Sequence, residues 1–112
     1  MSKKASVNPY MLFTNESMVT SLTSEWMDIR NSDNCAFQIV WTGSPVGVFG
    51  VQVSSDATNY TTISLSPSIT ASGSGDTAII EMNQMGSNYI RLYYTRTSGT
   101  GAVTASITAK DL

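Results

Sequence analysis

Histidine, cysteine and the carboxylates most often build reactive centres, and this chain of 112 residues has no histidine, one cysteine and eight carboxylates. Without histidine, the usual Ser-His-Asp and Cys-His arrangements lack their base, and zinc sites with a histidine ligand are excluded. Cys35 opens an alternating apolar stretch with no base beside it to draw off its proton, so a buried, unreactive thiol is expected. A single cysteine also closes no internal disulfide. Glycosidase chemistry needs two carboxylates flanking a sugar. Here Glu16, Asp28, Asp33, Asp56, Asp76 and Glu81 are scattered beside turns or at outward strand positions, with nothing in the spacing to pair them. Asp33, Asp56 and Asp76 fall in loops without DxDxDG spacing, so a calcium site would have to be gathered from separate loops. Ser72-Gly-Ser-Gly-Asp76 offers backbone N–H groups to an anion but lacks the Gly-Lys-Ser/Thr ending and the helix of a P-loop. The expectation is a chain that is not an enzyme, with no catalytic residue, no cofactor and no metal.

Composition narrows the field further. Apolar residues make up 41% and charged residues only 12%, about half the usual quarter. Ser, Thr, Asn and Gly take the place of the missing charges, which suits short strands and turns and suits helices badly. Net charge is −2 and Lys3-Lys4 is the longest basic run, so nucleic acid is not an expected partner. No run approaches the roughly 20 apolar residues of a membrane helix. The N-terminus lacks an apolar core followed by a small-residue cleavage site, and cytoplasmic synthesis is expected.

The elements follow from turn residues and alternation. Residues 1–15 mix charge, Pro9 and the apolar cluster Tyr10, Met11, Leu12 and Phe13 without clear periodicity, and read as an N-terminal arm that either lies on its own domain or ties the subunit to a neighbour. Residues 16–112 read as one domain. Strands are expected at Met18–Thr23, Glu25–Arg30, Cys35–Trp41, Val46–Ser54, Tyr60–Leu65, Thr77–Met82, Tyr89–Thr95 and Val103–Lys110, with Thr70–Asp76 an exposed loop. Cys35–Trp41 and Val46–Ser54 look like a hairpin about Gly43-Ser-Pro45, and Ser98-Gly-Thr-Gly101 signals a second one. About eight strands make an all-β chain, an antiparallel sandwich or jelly roll. Trp26 and Trp41 are expected in the core. Tyr89, Arg91 and Tyr93 share one outward face, either a recognition surface or a cross-strand support for the sheet.

Two stretches go beyond generic strand patterning: Trp41-Thr-Gly-Ser-Pro-Val-Gly-Val-Phe-Gly-Val-Gln-Val-Ser-Ser-Asp56, continuing to Tyr60, and Asn88-Tyr-Ile-Arg-Leu-Tyr-Tyr-Thr95 with Ser98-Gly-Thr-Gly101 and Lys110. They lie within residues 41–110, about two thirds of the chain, and resemble small structural proteins of tailed-phage virions, compact β-sandwiches that serve as capsid decoration, cement or tail-associated subunits. That resemblance implies a multi-copy or homo-oligomeric structural protein on the virion, made in the host cytoplasm. Its function would be protein–protein packing, with other virion proteins as partners and with Tyr10, Met11, Leu12, Phe13, Tyr89, Arg91 and Tyr93 as candidate interface. Deleting residues 1–13 should then weaken assembly more than folding. The strand ending Val-Ser-Ser-Asp56 and the later Tyr-Ile-Arg-Leu strand also resemble discoidin-like carbohydrate-binding jelly rolls, which implies a carbohydrate-binding or adhesion module as the alternative. Here Tyr60 replaces that family's tryptophan and Asp-Gly is missing after Asp56, so no sugar site carries over residue by residue.

Overall fold

The computed structural model describes residues 10–29, 34–63, 69–72, 74–82 and 88–110. They form β1 (Tyr10–Ser17), β2 (Leu22–Thr23), β3 (Met27–Asp28), β4 (Asn34–Gly43), β5 (Val46–Ser54), β6 (Tyr60–Ile63), β7 (Ile69–Ser72), β8 (Asp76–Met82), β9 (Tyr89–Ser98) and β10 (Gly101–Lys110). One sheet has the order β1-β10-β4-β8. The other is built on the β5–β9 pair, with β2 and β3 both beside β9 and with β6 and β7 both beside β5. The pairings are antiparallel, so the chain is an antiparallel β-sandwich.

Alternation puts one face of each sheet into the core. Phe37, Ile39 and Trp41 of β4, Val103, Ala105 and Ile107 of β10, and Ile80 of β8 meet Phe49 and Val51 of β5 and Ile90, Leu92 and Tyr94 of β9. Trp41, Phe49 and Tyr94 stack in sequence across this layer, at centroid distances of 5.4 and 4.9 Å. Each fully buried large apolar side chain contributes about 1.5–3 kcal/mol. The packed interior therefore stands in for the missing disulfide.

Neither expected hairpin forms. β4 and β5 belong to different sheets, and so do β9 and β10, so each connection arches across the sandwich. Gly and Pro signal a chain reversal, but they do not say whether the returning strand pairs beside its predecessor or packs over it. Here both strands of each pair carry apolar inward faces, and Trp41 meets Phe49 across the core. The two arches lie against one another: Ser44 N–H donates to the Thr100 carbonyl at 2.8 Å. Gly43 (φ 85°) and Gly99 (φ 82°) occupy the left-handed region there, which only glycine adopts freely.

Two strands beyond the expected eight are β1 and β7. β7 takes the first part of the expected Thr70–Asp76 loop, and Trp41 Nε1 donates to the Ser74 carbonyl at 3.0 Å, tying the remaining turn to the core strand. β1 takes residues 10–15 out of the arm. It pairs with β10 from Tyr10 opposite Ile107 to Ser17 opposite Ala102, with two register shifts. Those shifts break the alternation and explain why no strand periodicity is visible there. Phe13 is buried opposite Ala105, Leu12 is half-buried, and Tyr10 and Met11 are exposed. A deletion of residues 1–13 therefore takes a core side chain with it. Residues 1–9 lie outside the described residues. Among the described residues of the expected strands at Met18–Thr23 and Glu25–Arg30, Leu22–Thr23 and Met27–Asp28 pair, and Met18 is buried ahead of the first; Arg30 lies outside the described residues.

Cys35, the second residue of β4, is buried, and burial pushes its thiol up to about 11. A thiol reagent at neutral pH is expected to label the native chain orders of magnitude more slowly than the chain in denaturant, since the thiolate is the nucleophile. A time course of labelling with and without denaturant checks it.

Candidate functional site

The outward face of the β5–β9 sheet gathers the aromatic residues. Gln52 of β5 lies between Arg91 of β9 and Thr62 of β6. Met27 pairs with Ile90, so Trp26 falls alongside Arg91. Trp26 is thus outside the core, because its neighbour Met27 takes the inward position; Trp41 is in the core as expected. Tyr89 is opposite Ser54, which is opposite Tyr60.

These side chains converge. β3 and β6 are separated by β9 and β5, roughly 14 Å at about 4.8 Å per strand spacing, yet the Trp26 and Tyr60 ring centroids are only 6.2 Å apart. Both rings lean inward over the sheet. The Arg91 guanidinium lies against both, its Cζ 4.1 Å from the Trp26 centroid and 4.7 Å from that of Tyr60, within cation–π range of each. Arg91 Nε donates to Gln52 Oε1 at 2.8 Å, and Gln52 Nε2 donates to Thr62 Oγ1 at 3.3 Å. Arg91 Nη1 and Nη2 make no hydrogen bond to another described residue. Tyr93 continues the face, its ring lying over Gly50, where a Cβ would stand 2.4 Å from it.

A shallow depression of about 300 Å³ borders Tyr60, lined by Val53, Ser54, Ser55, Asp56, Asn59, Tyr60 and Thr61. Its one carboxylate is occupied by its own turn. Asp56 Oδ1 accepts N–H bonds from Thr58 at 2.9 Å and Asn59 at 2.8 Å, and Oδ2 accepts from Asn59 Nδ2 at 3.1 Å. The Ser54 hydroxyl reaches Oδ1 at 3.0 Å. The backbone N–H groups of Asn59 and Thr58 first, then the Asn59 and Ser54 side chains, hold the Asp56 carboxyl well below the usual carboxylate range. A folded-state value below the unfolded one adds stability that is present above the unfolded pKa of about 4 and disappears as pH falls through the lower folded value. Thermal melts from about pH 5 to about pH 2 are expected to lose part of their slope in Asp56→Asn.

The other sheet presents a different outward face. Met11, Ser106, Gln38 and Ile79 form one row across it, and Thr104, Val40 and Thr77 form the next. Met11, Val40 and Ile79 are exposed at 45%, 44% and 55%. Among the outward side chains of β4, β8 and residues 101–109 of β10, Glu81 carries the only charge.

The fold thus divides the sequence-derived candidates. Tyr89, Arg91 and Tyr93 come together, half-buried, on the β9 face. Tyr10, Met11, Leu12 and Phe13 lie on the opposite sheet's edge strand, where Tyr10 Oη donates to Glu25 Oε2 at 2.5 Å. Trp26, Tyr60, Gln52 and Thr62 were not among the candidates. The alternation of Trp26 with Met27, and of Tyr60 with Thr61, is the signal that could have found them. Among the described residues no three His, Cys, Asp or Glu side chains gather as metal ligands.

No protein-family model and no curated protein sequence matches this chain. Solved structures do match its fold. The PBSX exported protein XepA aligns over 94% of this chain and 37% of its own, with a TM-score of 0.68 and 12% identity. The chain therefore spans little more than a third of XepA. The SPBc2 prophage-derived protein YomS aligns over 98% of this chain and 100% of its own, with a TM-score of 0.58 and 11% identity. A chitosan-binding module of a chitosanase/glucanase from Paenibacillus sp. IK-5 aligns over 92% and 96%, with a TM-score of 0.51 and 18% identity. The sandwich is thus similar to those of phage-derived proteins and of a carbohydrate-binding module.

Proposed function

We propose that this chain is a structural subunit of a tailed-phage particle, a capsid-decoration, cement or tail-associated protein. It packs against other particle proteins through the outward face of its four-stranded sheet. The observation that carries the reading is that face itself. Three exposed aliphatic side chains, Met11, Val40 and Ile79, stand on it among hydroxyl and amide groups, with Glu81 the sole charge on the outward positions of β4, β8 and residues 101–109 of β10. Interface cores are poor in charge and rich in apolar contact, and an exposed apolar patch on a stable sandwich marks a partner site. The alignment with prophage-derived YomS over the full length of both chains supports the same reading. An assembly subunit works through complementary surface and copy number and requires no titrating centre.

Co-sedimentation tests it. The purified chain, added to particles that lack it, is expected to pellet with them, and a Val40→Asp/Ile79→Asp double variant is expected to stay in the supernatant while melting within a few degrees of the parent. Both positions are exposed, so the substitutions leave the core alone. Retention of the double variant on the particle would overturn this assignment of the packing face.

A second reading, a carbohydrate-binding or adhesion surface, is favoured by one specific observation, the stack of Trp26, Arg91 and Tyr60 on the opposite face. The two readings occupy different sheets, so one subunit has room for both.

A further inference from the structure

We propose that the outward face of the β5–β9 sheet binds acidic glycans, with Arg91 taking the carboxylate of a uronate-type sugar and with Tyr60 and Trp26 holding the apolar side of its ring. The proposal rests on the carbohydrate reading above and narrows it to a ligand class.

Among the described residues, Arg91 contacts the two rings and Gln52, none of them negative, in a chain whose net charge is −2. The planar guanidinium offers its Nη groups as a fork that fits a carboxylate through two parallel hydrogen bonds. Contact with both rings and the bond from Nε restrict its orientation before any ligand arrives, so little side-chain freedom is left to lose on binding.

The surroundings decide which carboxylate. Tyr60 remains 53% exposed despite the stack, and Thr61 and Thr62 beside it are also exposed. Aromatic faces next to hydroxyl and amide groups suit a ligand with one apolar side and a polar rim. A sugar ring has that form, with C–H groups on one face and hydroxyls at its edge. An acidic segment of a partner protein would need a broader apolar contact, on the order of 800 Å² per side in a standard interface. The exposed aliphatic of the β5 and β9 outward positions is Val48, four residues along β5 from Gln52 and roughly 13 Å away. The exposed aliphatics that such an interface would want stand on the other sheet.

The test is calorimetric titration of the full chain with oligomers of galacturonate and of glucuronate, each against its methyl ester. The ester keeps the sugar ring and removes the charge. The acids are expected to bind about tenfold tighter than the esters, the effect of one or two charge-assisted hydrogen bonds, and this margin should shrink as salt is raised. Arg91→Met should bind acid and ester alike, and Tyr60→Ala should weaken both. The acid–ester comparison on the parent chain requires no variant, so a misfolded Arg91→Met leaves the test intact. Equal binding of acid and ester, or binding of neutral oligosaccharides alone, would overturn the acidic class and leave the carbohydrate reading standing. No binding to any of these sugars would remove both. Preference for an acidic peptide over all sugars would overturn the proposal and assign the face to a protein partner.

Discussion

Replacing Phe13 with alanine is expected to lower the unfolding free energy by about 3–5 kcal/mol, the usual cost of emptying a buried phenylalanine site. A domain of this size holds about 5–15 kcal/mol in total, so the variant should be close to unfolding at physiological temperature. The reason is positional. Phe13 is 5% exposed and belongs to the same cluster as Phe37, Ile39 and Val103, although it enters from the edge strand β1. Met11, two residues earlier on β1, faces outward, and Met11→Ala is expected to change stability by only about 0.5 kcal/mol or less. Denaturant midpoints of the two variants measure the contrast. A loss below about 1 kcal/mol for Phe13→Ala would mean that β1 leaves the sandwich readily and serves as an arm after all.

Gly99→Ala is expected to destabilise the chain by about 3 kcal/mol or more, from two sources. A side chain at positive φ costs about 1–2 kcal/mol, and overpacking against a rigid neighbour typically adds about 1–3 kcal/mol. A Cβ at Gly99 would stand 2.1 Å from the Ser44 carbonyl oxygen and 3.1 Å from Pro45 Cα, both backbone atoms of the other arch. Neither can swing aside as a flexible side chain would. Thr97, exposed near the end of β9, is the control, and Thr97→Ala should stay within about 0.5 kcal/mol. Chemical denaturation of both variants checks the difference. A near-neutral Gly99→Ala would mean that the arches have room to separate, which contradicts their close packing.

Much of the sandwich is legible in the residue pattern, for a physical reason. In β4, β5, β9 and β10 one face is buried along most of its length, so period-two alternation is visible in the sequence. In β1 two register shifts destroy it, and β2 and β3 are two residues long, too short to carry a period. What the pattern did not encode is the partner of each strand. Gly43-Ser-Pro45 and Ser98-Gly-Thr-Gly101 have the composition of hairpin turns and serve as arches, a choice made by core packing on both sides at once.

The candidate site was legible to a similar degree. Outward Tyr89, Arg91 and Tyr93 follow from alternation within one strand. Their companions Trp26 and Tyr60 come from opposite edges of the sheet and meet over it only because both rings lean inward, which no local pattern specifies. Tryptophan's size pointed Trp26 toward the core, and Met27 held the inward place instead.

The resulting molecule has two faces with different chemistry: an aliphatic, nearly uncharged one on the four-stranded sheet, and an aromatic one around a fixed guanidinium on the other. In the proposed role the first packs into a particle and the second faces outward. An electron cryomicroscopy reconstruction of a particle carrying this chain tests that arrangement most directly. Met11, Val40 and Ile79 are expected to be covered by a neighbouring particle protein, with Trp26, Tyr60 and Arg91 open to solvent. Density for a neighbour over Trp26 and Arg91, with Val40 and Ile79 left bare, would contradict it.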